Sequence, residues 1–197
     1  MKLDVRIHGR GGQGVVTAAE LLSMAAFDQG LHAQALPSFG SERTGAPVMA
    51  GVRISDQPIR SHDPVSHPDI LVVQDLTLLR DCAVLAGLPD DGTVVVNTNR
   101  DLADLVKGGL VLGPARRWVT VPANDLARQL LGRPLPNTAL VGAVAGITGL
   151  LGREAVASAI RRRFTDLDQE LADANVRLAE LSRGLVATRT RGRETHA

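Results

Sequence analysis

The stretch Leu3-Asp-Val-Arg-Ile-His-Gly-Arg-Gly-Gly-Gln-Gly14, followed by the apolar-periodic run Val15 to Phe27, decides how this chain is read. Leu3, Val5 and Ile7 alternate as in a strand, the glycines at 9, 11, 12 and 14 predict a turn, and a helix follows. A glycine turn between strand and helix lets backbone N–H groups point at a bound anion, and the helix dipole adds partial positive charge there. Arg10 can add a full charge beside it.

Gly9-x-Gly11-x-x-Gly14 also has the form of a dinucleotide fingerprint. A dinucleotide fold wants an acidic residue about 20 residues on, at the end of the second strand. That strand ends here as Gln34-Ala-Leu-Pro37, with no acid, and no Gly-Lys-Ser/Thr follows the turn to make a Walker loop. Three readings stay open: a tight turn with no ligand, a phosphate-bearing ligand at the turn, or a partner's backbone seated on it.

The rest of the chain reads as alternating strands and helices. Leu31 to Leu36 and Ala46 to Ile54 predict strands, and Ile70 to Gln74 is a continuous run of the kind buried on both faces. Asp75 to Leu85 suggests a short helix, Gly92 to Asn97 another buried strand, and Leu110 to Gly113 and Arg117 to Val121 two shorter ones. The alternation predicts an α/β fold: three layers around a mostly parallel sheet, a Rossmann-like strand–turn–helix start and a helical C-terminal third. In that last third, Asn124 and Asp125 can cap one helix, and Asn137 can cap the small-residue run from Thr138 to Leu151. Arg153 to Phe164 and Leu167 to Arg183 follow as amphipathic helices, with Gly184 placed to end the second. A single domain over residues 1–187 is expected, with a disordered basic tail over 188–197.

Composition excludes several classes of function. Of 197 residues three are Phe, one is Trp and none is Tyr, so a single-strand nucleic-acid surface lacks its stacking platforms. A net charge of +1 gives no bulk reason for nucleic-acid or membrane binding. One cysteine, Cys82, rules out a disulfide framework and cannot ligate an iron–sulfur cluster alone. Ala139 to Leu151, 13 residues, is shorter than the ~20 that span a bilayer, and a cytoplasmic location is expected. The five histidines show no metal-ligand spacing; His62 and His67 read as surface loop, and no nucleophile–base arrangement stands out. The loop Pro37 to Pro47, with Glu42, Arg43, Gly45 and Phe39, is the second candidate binding segment.

Taken in order, Gly9-Arg-Gly-Gly-Gln-Gly14, Val16-Thr-Ala-Ala-Glu20, Phe39-Gly-Ser-Glu-Arg-Thr-Gly-Ala-Pro-Val48, Val73-Gln-Asp75 and Asn137-Thr-Ala-Leu-Val-Gly-Ala143 carry a resemblance. From about Leu3 to Leu185 the chain is similar to the gamma subunit of 2-oxoacid:ferredoxin oxidoreductases, the pyruvate, ketoisovalerate and 2-oxoglutarate enzymes. The resemblance implies a subunit that is not catalytic alone. The whole enzyme would decarboxylate a 2-oxoacid on thiamine diphosphate, pass electrons through iron–sulfur clusters to ferredoxin or a similar acceptor, and usually give the acyl group to coenzyme A. Thiamine diphosphate and Mg2+ then belong with alpha and beta subunits, [4Fe-4S] clusters with a delta-type subunit, and no cofactor with this chain alone.

On the same resemblance Gly9, Arg10, Gly11, Gly12, Gln13 and Gly14 are expected to hold a coenzyme A phosphate. Phe39, Glu42, Arg43, Gly45 and Asn137 are expected at a subunit interface or a shared active site. The alternative is a stand-alone nucleotide-binding or regulatory α/β module. The glycine-rich helix after Asn137 favours assembly, since such a surface is costly without a partner.

Overall fold

The computed structural model describes residues 1–37, 45–110, 112, 117–164 and 168–194, and the side chains of all of these but 82 and 188–194. Six strands form one sheet: β1 (Lys2–Arg10), β2 (His32–Pro37), β3 (Pro47–Ser55), β4 (Ile70–Val73), β5 (Thr93–Asn97) and β6 (Arg117–Val121). Their order is β2-β3-β1-β4-β5-β6. β1 pairs in parallel with β4, β4 with β5 and β5 with β6, whereas β3 is antiparallel to both β1 and β2. Five strands therefore share one direction and β3 alone is reversed. The link from Pro37 to Pro47 is too short for the crossover that a parallel neighbour needs, so the chain returns antiparallel.

The two faces of the sheet differ. Val5, Ile7, Ile70, Val72 and Val95 face a helical layer made of α1 (Val15–Asp28), α3 (Ala123–Leu131), α4 (Asn137–Thr148), α5 (Arg153–Phe164) and α6 (Gln169–Glu194). Leu71, Val73, Val94 and Val96 point the other way, into a smaller cluster with Leu78, Val84, Leu88, Trp118 and Leu102 of α2 (Leu102–Lys107). β4 and β5 are thus buried on both faces, which is why they read as unbroken apolar runs.

Several local expectations shift. The segment from Asp75 to Leu85 is two 3-10 turns, Leu76–Arg80 and Cys82–Leu85, because the Asp75 and Asp81 side chains each accept the N–H two residues on and restart the chain. Leu110 lies outside any strand, and 111 and 113 fall outside the described residues. α3 begins behind Pro122 and α4 behind Pro136, neither with a side-chain cap, so Asn124, Asp125 and Asn137 do not serve as N-caps. Proline at these positions gives up no helical hydrogen bond. α6 runs through Gly184 and past Thr188 to Glu194.

The small residues of α4 have a partner inside the chain. A Cβ on Gly142 would lie 2.0 Å from the Ala179 carbonyl oxygen of α6, and one on Gly146 2.8 Å from that of Arg183. Every residue from Asn137 to Ala145 is buried. The glycines are therefore explained by α6, and the expectation that this helix calls for a partner subunit is corrected: the residues from Asn137 to Ala145 find their cover within the chain, and only the last turn of α4 is half-buried.

Below β1 the second face is ionic. The Arg6 guanidinium donates to the carbonyls of Val65, Ser66, Val84 and Ala86, pinning two irregular segments to the sheet, and burial lowers its pKa. His8 lies two residues on along the same face, and burial, then the Arg6 charge, depress it to about 4 against a weaker pull from Asp81.

Two measurements check this account. Gly142→Ala should lower Tm by about 5–10 °C, since overpacking against backbone costs ~1–3 kcal/mol or more. Gly184→Ala, with open space around its Cβ site, should instead raise Tm by about 1–3 °C. Between pH 6.5 and about 4 the unfolded chain protonates His8 and the folded chain does not. Stability should therefore be full above pH 6.5 and fall by on the order of 3 kcal/mol toward pH 4, with His8→Gln flattening that part of the urea-midpoint curve.

Candidate functional site

β1 and β4 lie side by side, yet the chain leaves them on opposite faces: after β1 into α1, after β4 into the 3-10 turns. In open α/β sheets ligands bind at such a divergence, outside the carboxyl ends of the strands. Here the glycine turn and the segment Gln74-Asp75 that follows β4 flank that point.

The turn is built from its own side chain and two left-handed glycines. Gly12 (φ 93°) and Gly14 (φ 72°) take conformations that side chains rarely adopt. The Gln13 N–H donates to the Arg10 carbonyl (3.0 Å), and Gln13 Oε1 accepts the Arg10 N–H (2.8 Å). Gly11 donates to the Ala46 carbonyl (2.9 Å) and accepts from the Gly45 N–H (3.2 Å). Gly45 thus joins the glycine turn, two candidate segments distant in sequence. Phe39, Glu42 and Arg43, from the same loop, lie outside the described residues.

Arg10 is committed within the chain. Its Nε meets Asp75 Oδ2 (2.9 Å), Nη1 donates to the Gly45 carbonyl (3.0 Å) and Nη2 to Thr77 Oγ1 (2.8 Å). Burial raises the Asp75 carboxyl, but hydrogen bonds from Thr77 and the Arg10 charge outweigh it and hold the group below the ordinary carboxylate range. Arg10 is therefore a latch that ties the glycine turn to Gly45 and to the start of the 3-10 segment, with its charge largely balanced by Asp75.

α1 starts at Gly14 with no side-chain cap. The N–H groups of Val15, Val16 and Thr17 precede the first helical bond, from Ala18 N–H to the Gly14 carbonyl (2.9 Å). Asn137, the first residue of α4, packs on Gly14: a Cβ there would lie 2.5 Å from Asn137 Nδ2. Asn97 ties in α3, donating from Nδ2 to the Gln74 carbonyl (2.8 Å) and accepting the Asn124 N–H at Oδ1 (3.1 Å). Three helix N-termini gather over buried neutral amides.

The residue that sequence reasoning missed as a site member is Gln74. It is 1 % exposed, and among the described residues neither atom of its amide has a hydrogen-bond partner. Its Oε1 comes within 3.0 Å of where a Cβ on Gly9 would sit, so the side chain runs under the turn. An unpaired buried amide costs about 1–3 kcal/mol. The signal was available: a glutamine closing the otherwise apolar run Ile70–Val73.

Other candidates do not converge. His62 contacts Gln34 and His67 contacts Ser66, away from the turn. Among the described residues no three His, Cys, Asp or Glu side chains gather as metal ligands. No described helix is long and apolar enough to cross a membrane.

Comparison with known proteins agrees with this architecture. Pyruvate synthase subunit PorC of Methanosarcina barkeri is 48% identical over 158 residues, covering 80% of this chain and 84% of that one. The pyruvate/ketoisovalerate oxidoreductases common subunit gamma of Thermococcus kodakarensis is 44% identical over 178 residues, 90% and 94% of the two chains. The crystal structure of pyruvate oxidoreductase subunit PorC from Thermotoga maritima superposes with a TM-score of 0.80 at 37% identity, covering 93% of this chain and 96% of its own. The family model for pyruvate ferredoxin/flavodoxin oxidoreductase matches residues 4–185, and the chain belongs to that family.

Proposed function

We propose that this chain is the gamma subunit of a 2-oxoacid:ferredoxin oxidoreductase and that its glycine turn forms part of the coenzyme A side of the shared active site. Thiamine diphosphate, held with Mg2+ by alpha and beta subunits, would supply the chemistry for oxidative decarboxylation, and [4Fe-4S] clusters of a delta-type subunit would supply the electron path to ferredoxin or a similar acceptor. Near-full-length likeness to PorC and gamma subunits supports the subunit reading.

The observation that carries the site is the buried Gln74 amide, unpaired among the described residues, which lies against Gly9 where the turn toward the uncapped α1 begins. A phosphate oxygen suits this place. N–H groups at a helix N-terminus donate to it, the dipole favours its charge, and the glycines let it approach backbone. With its amide turned to present Nε2 in place of Oε1, Gln74 supplies a side-chain donor from below, and Asn137 walls the turn on the α4 side. Arg10 contributes by holding Gly45 and the turn in register, through Asp75 and Thr77, rather than by presenting a free charge. Coenzyme A, when bound, supplies the thiol that takes the acyl group; this chain's part is to bind and orient.

Two results are expected. Purified under mild conditions from its native cells, the chain should bring down larger thiamine diphosphate- and cluster-bearing subunits and a brown eluate; a colourless lone protein would return it to a stand-alone nucleotide-binding module. In the assembled enzyme Gln74→Leu should raise KM for coenzyme A by about tenfold or more, with little change in kcat, because a hydrogen bond to a charged group is worth ~1.5–3 kcal/mol. An unchanged KM in a correctly assembled variant counts against the turn as a phosphate site.

A further inference from the structure

The opposite end of β1 carries a second concentration of charge that the reading above does not use. On the face of the sheet away from the helices, Lys2 and Asp4 of β1 stand beside Ser55 and Arg53 of β3, register partners in the antiparallel pair. Beyond Ser55 the chain folds back over this corner and leaves an open cavity of about 280 Å³. Lys2, Arg53, Ser55, Arg60 and Ser61 line it with the apolar Pro58 and Ile59: three cations and no carboxylate.

The charges do not balance. A single carboxylate, Asp4, serves two of the cations, Oδ1 meeting Arg53 Nε at 3.1 Å and Oδ2 meeting Lys2 Nζ at 2.9 Å. Arg60 forms no ion pair among the described residues. The nearby acids are turned to other groups: Asp56 to the Met1 amino group (2.7 Å), Asp69 to the Asp4 N–H (2.7 Å), and Asp63 to the Ser61 hydroxyl (2.7 Å). Arg53 is held rigidly, with its side chain 11% exposed and Nη1 donating to the Ser61 carbonyl (3.3 Å). Holding such a guanidinium in place lowers the entropy lost on capturing an anion, and its planar fork matches phosphate geometry.

We infer that this cavity is an anion site that takes a compact phosphate-type dianion, between Arg53 at its base and Arg60 and Lys2 at its rim. The concave shape and the buried base favour a small anion over an acidic protein segment. The cavity lies at the far end of a nine-residue strand from the glycine turn, about 26 Å away at the usual rise per residue, so it is a separate site.

The test is a titration of the full-length chain with inorganic phosphate, followed residue by residue in 15N NMR spectra, with chloride as the ionic-strength control. Saturable shifts are expected at residues 53–61. Arg60→Gln and Lys2→Gln, both surface changes that leave the Asp4–Arg53 pair in place, should each weaken binding by about fivefold or more. Shifts that track chloride equally, shifts confined to residues 11–17, or an unchanged affinity in Arg60→Gln would overturn the site. So would a polyglutamate peptide that binds residues 53–61 more tightly than phosphate.

Discussion

Backbone meets backbone where Gly142 of α4 crosses Ala179 of α6, and the position of the helical layer follows from that contact. With no Cβ at 142 or 146, α4 sinks onto α6 until its own residues from 137 to 145 are wholly buried. That depth sets where α4 begins, and its first residue, Asn137, then lies against Gly14. One close approach between two helices thus fixes one wall of the candidate site. The helix penalty for glycine, about 1 kcal/mol per position, is offset by the packing it permits.

At the carboxyl end of β1 a different constraint operates. A turn with two left-handed glycines has little intrinsic rigidity, because glycine loses the most conformational freedom on ordering. The bonds from Arg10 to Asp75, Thr77 and Gly45, together with the Gly11 pairings to Gly45 and Ala46, supply that order from three parts of the chain. A site poised in this way carries partial positive charge from helix ends and neutral amides, with its one full cation already balanced by Asp75. That combination suits an anion that must bind and leave, since no buried ion pair has to be broken at each cycle.

The sheet also solves two covering problems at once. Over β4 and β5 both faces are apolar and covered. Under β1 and β3 the second face is covered by irregular chain, whose backbone polar groups need partners, and Arg6 supplies them by donating to four carbonyls. Arg53 does the same for Ser61 while pairing with Asp4. Buried charge here serves the loops, which explains how Asp4, Arg6 and Arg53 sit at 5%, 6% and 9% exposure in a strand pair that sequence periodicity reads only as half-apolar.

The strand–turn–helix start, the buried β4 and β5 runs and the strand–helix alternation were legible from residue order, because each rests on local periodicity and on glycine's backbone freedom. The same local reading marked the turn and the loop before Pro47 as candidates, whereas Asn137 entered as a site residue only through the family resemblance. Tertiary structure decided the rest. It reversed β3, replaced a helix after Asp75 with two Asx-capped turns, and supplied α6 as the partner that sequence sought outside the chain. It also assigned Arg10 to Asp75, 65 residues away, and left Gln74 unpaired among the described residues beneath the turn. Hydrogen-bond satisfaction and close backbone approach depend on which distant groups meet, and no window along the chain contains that information.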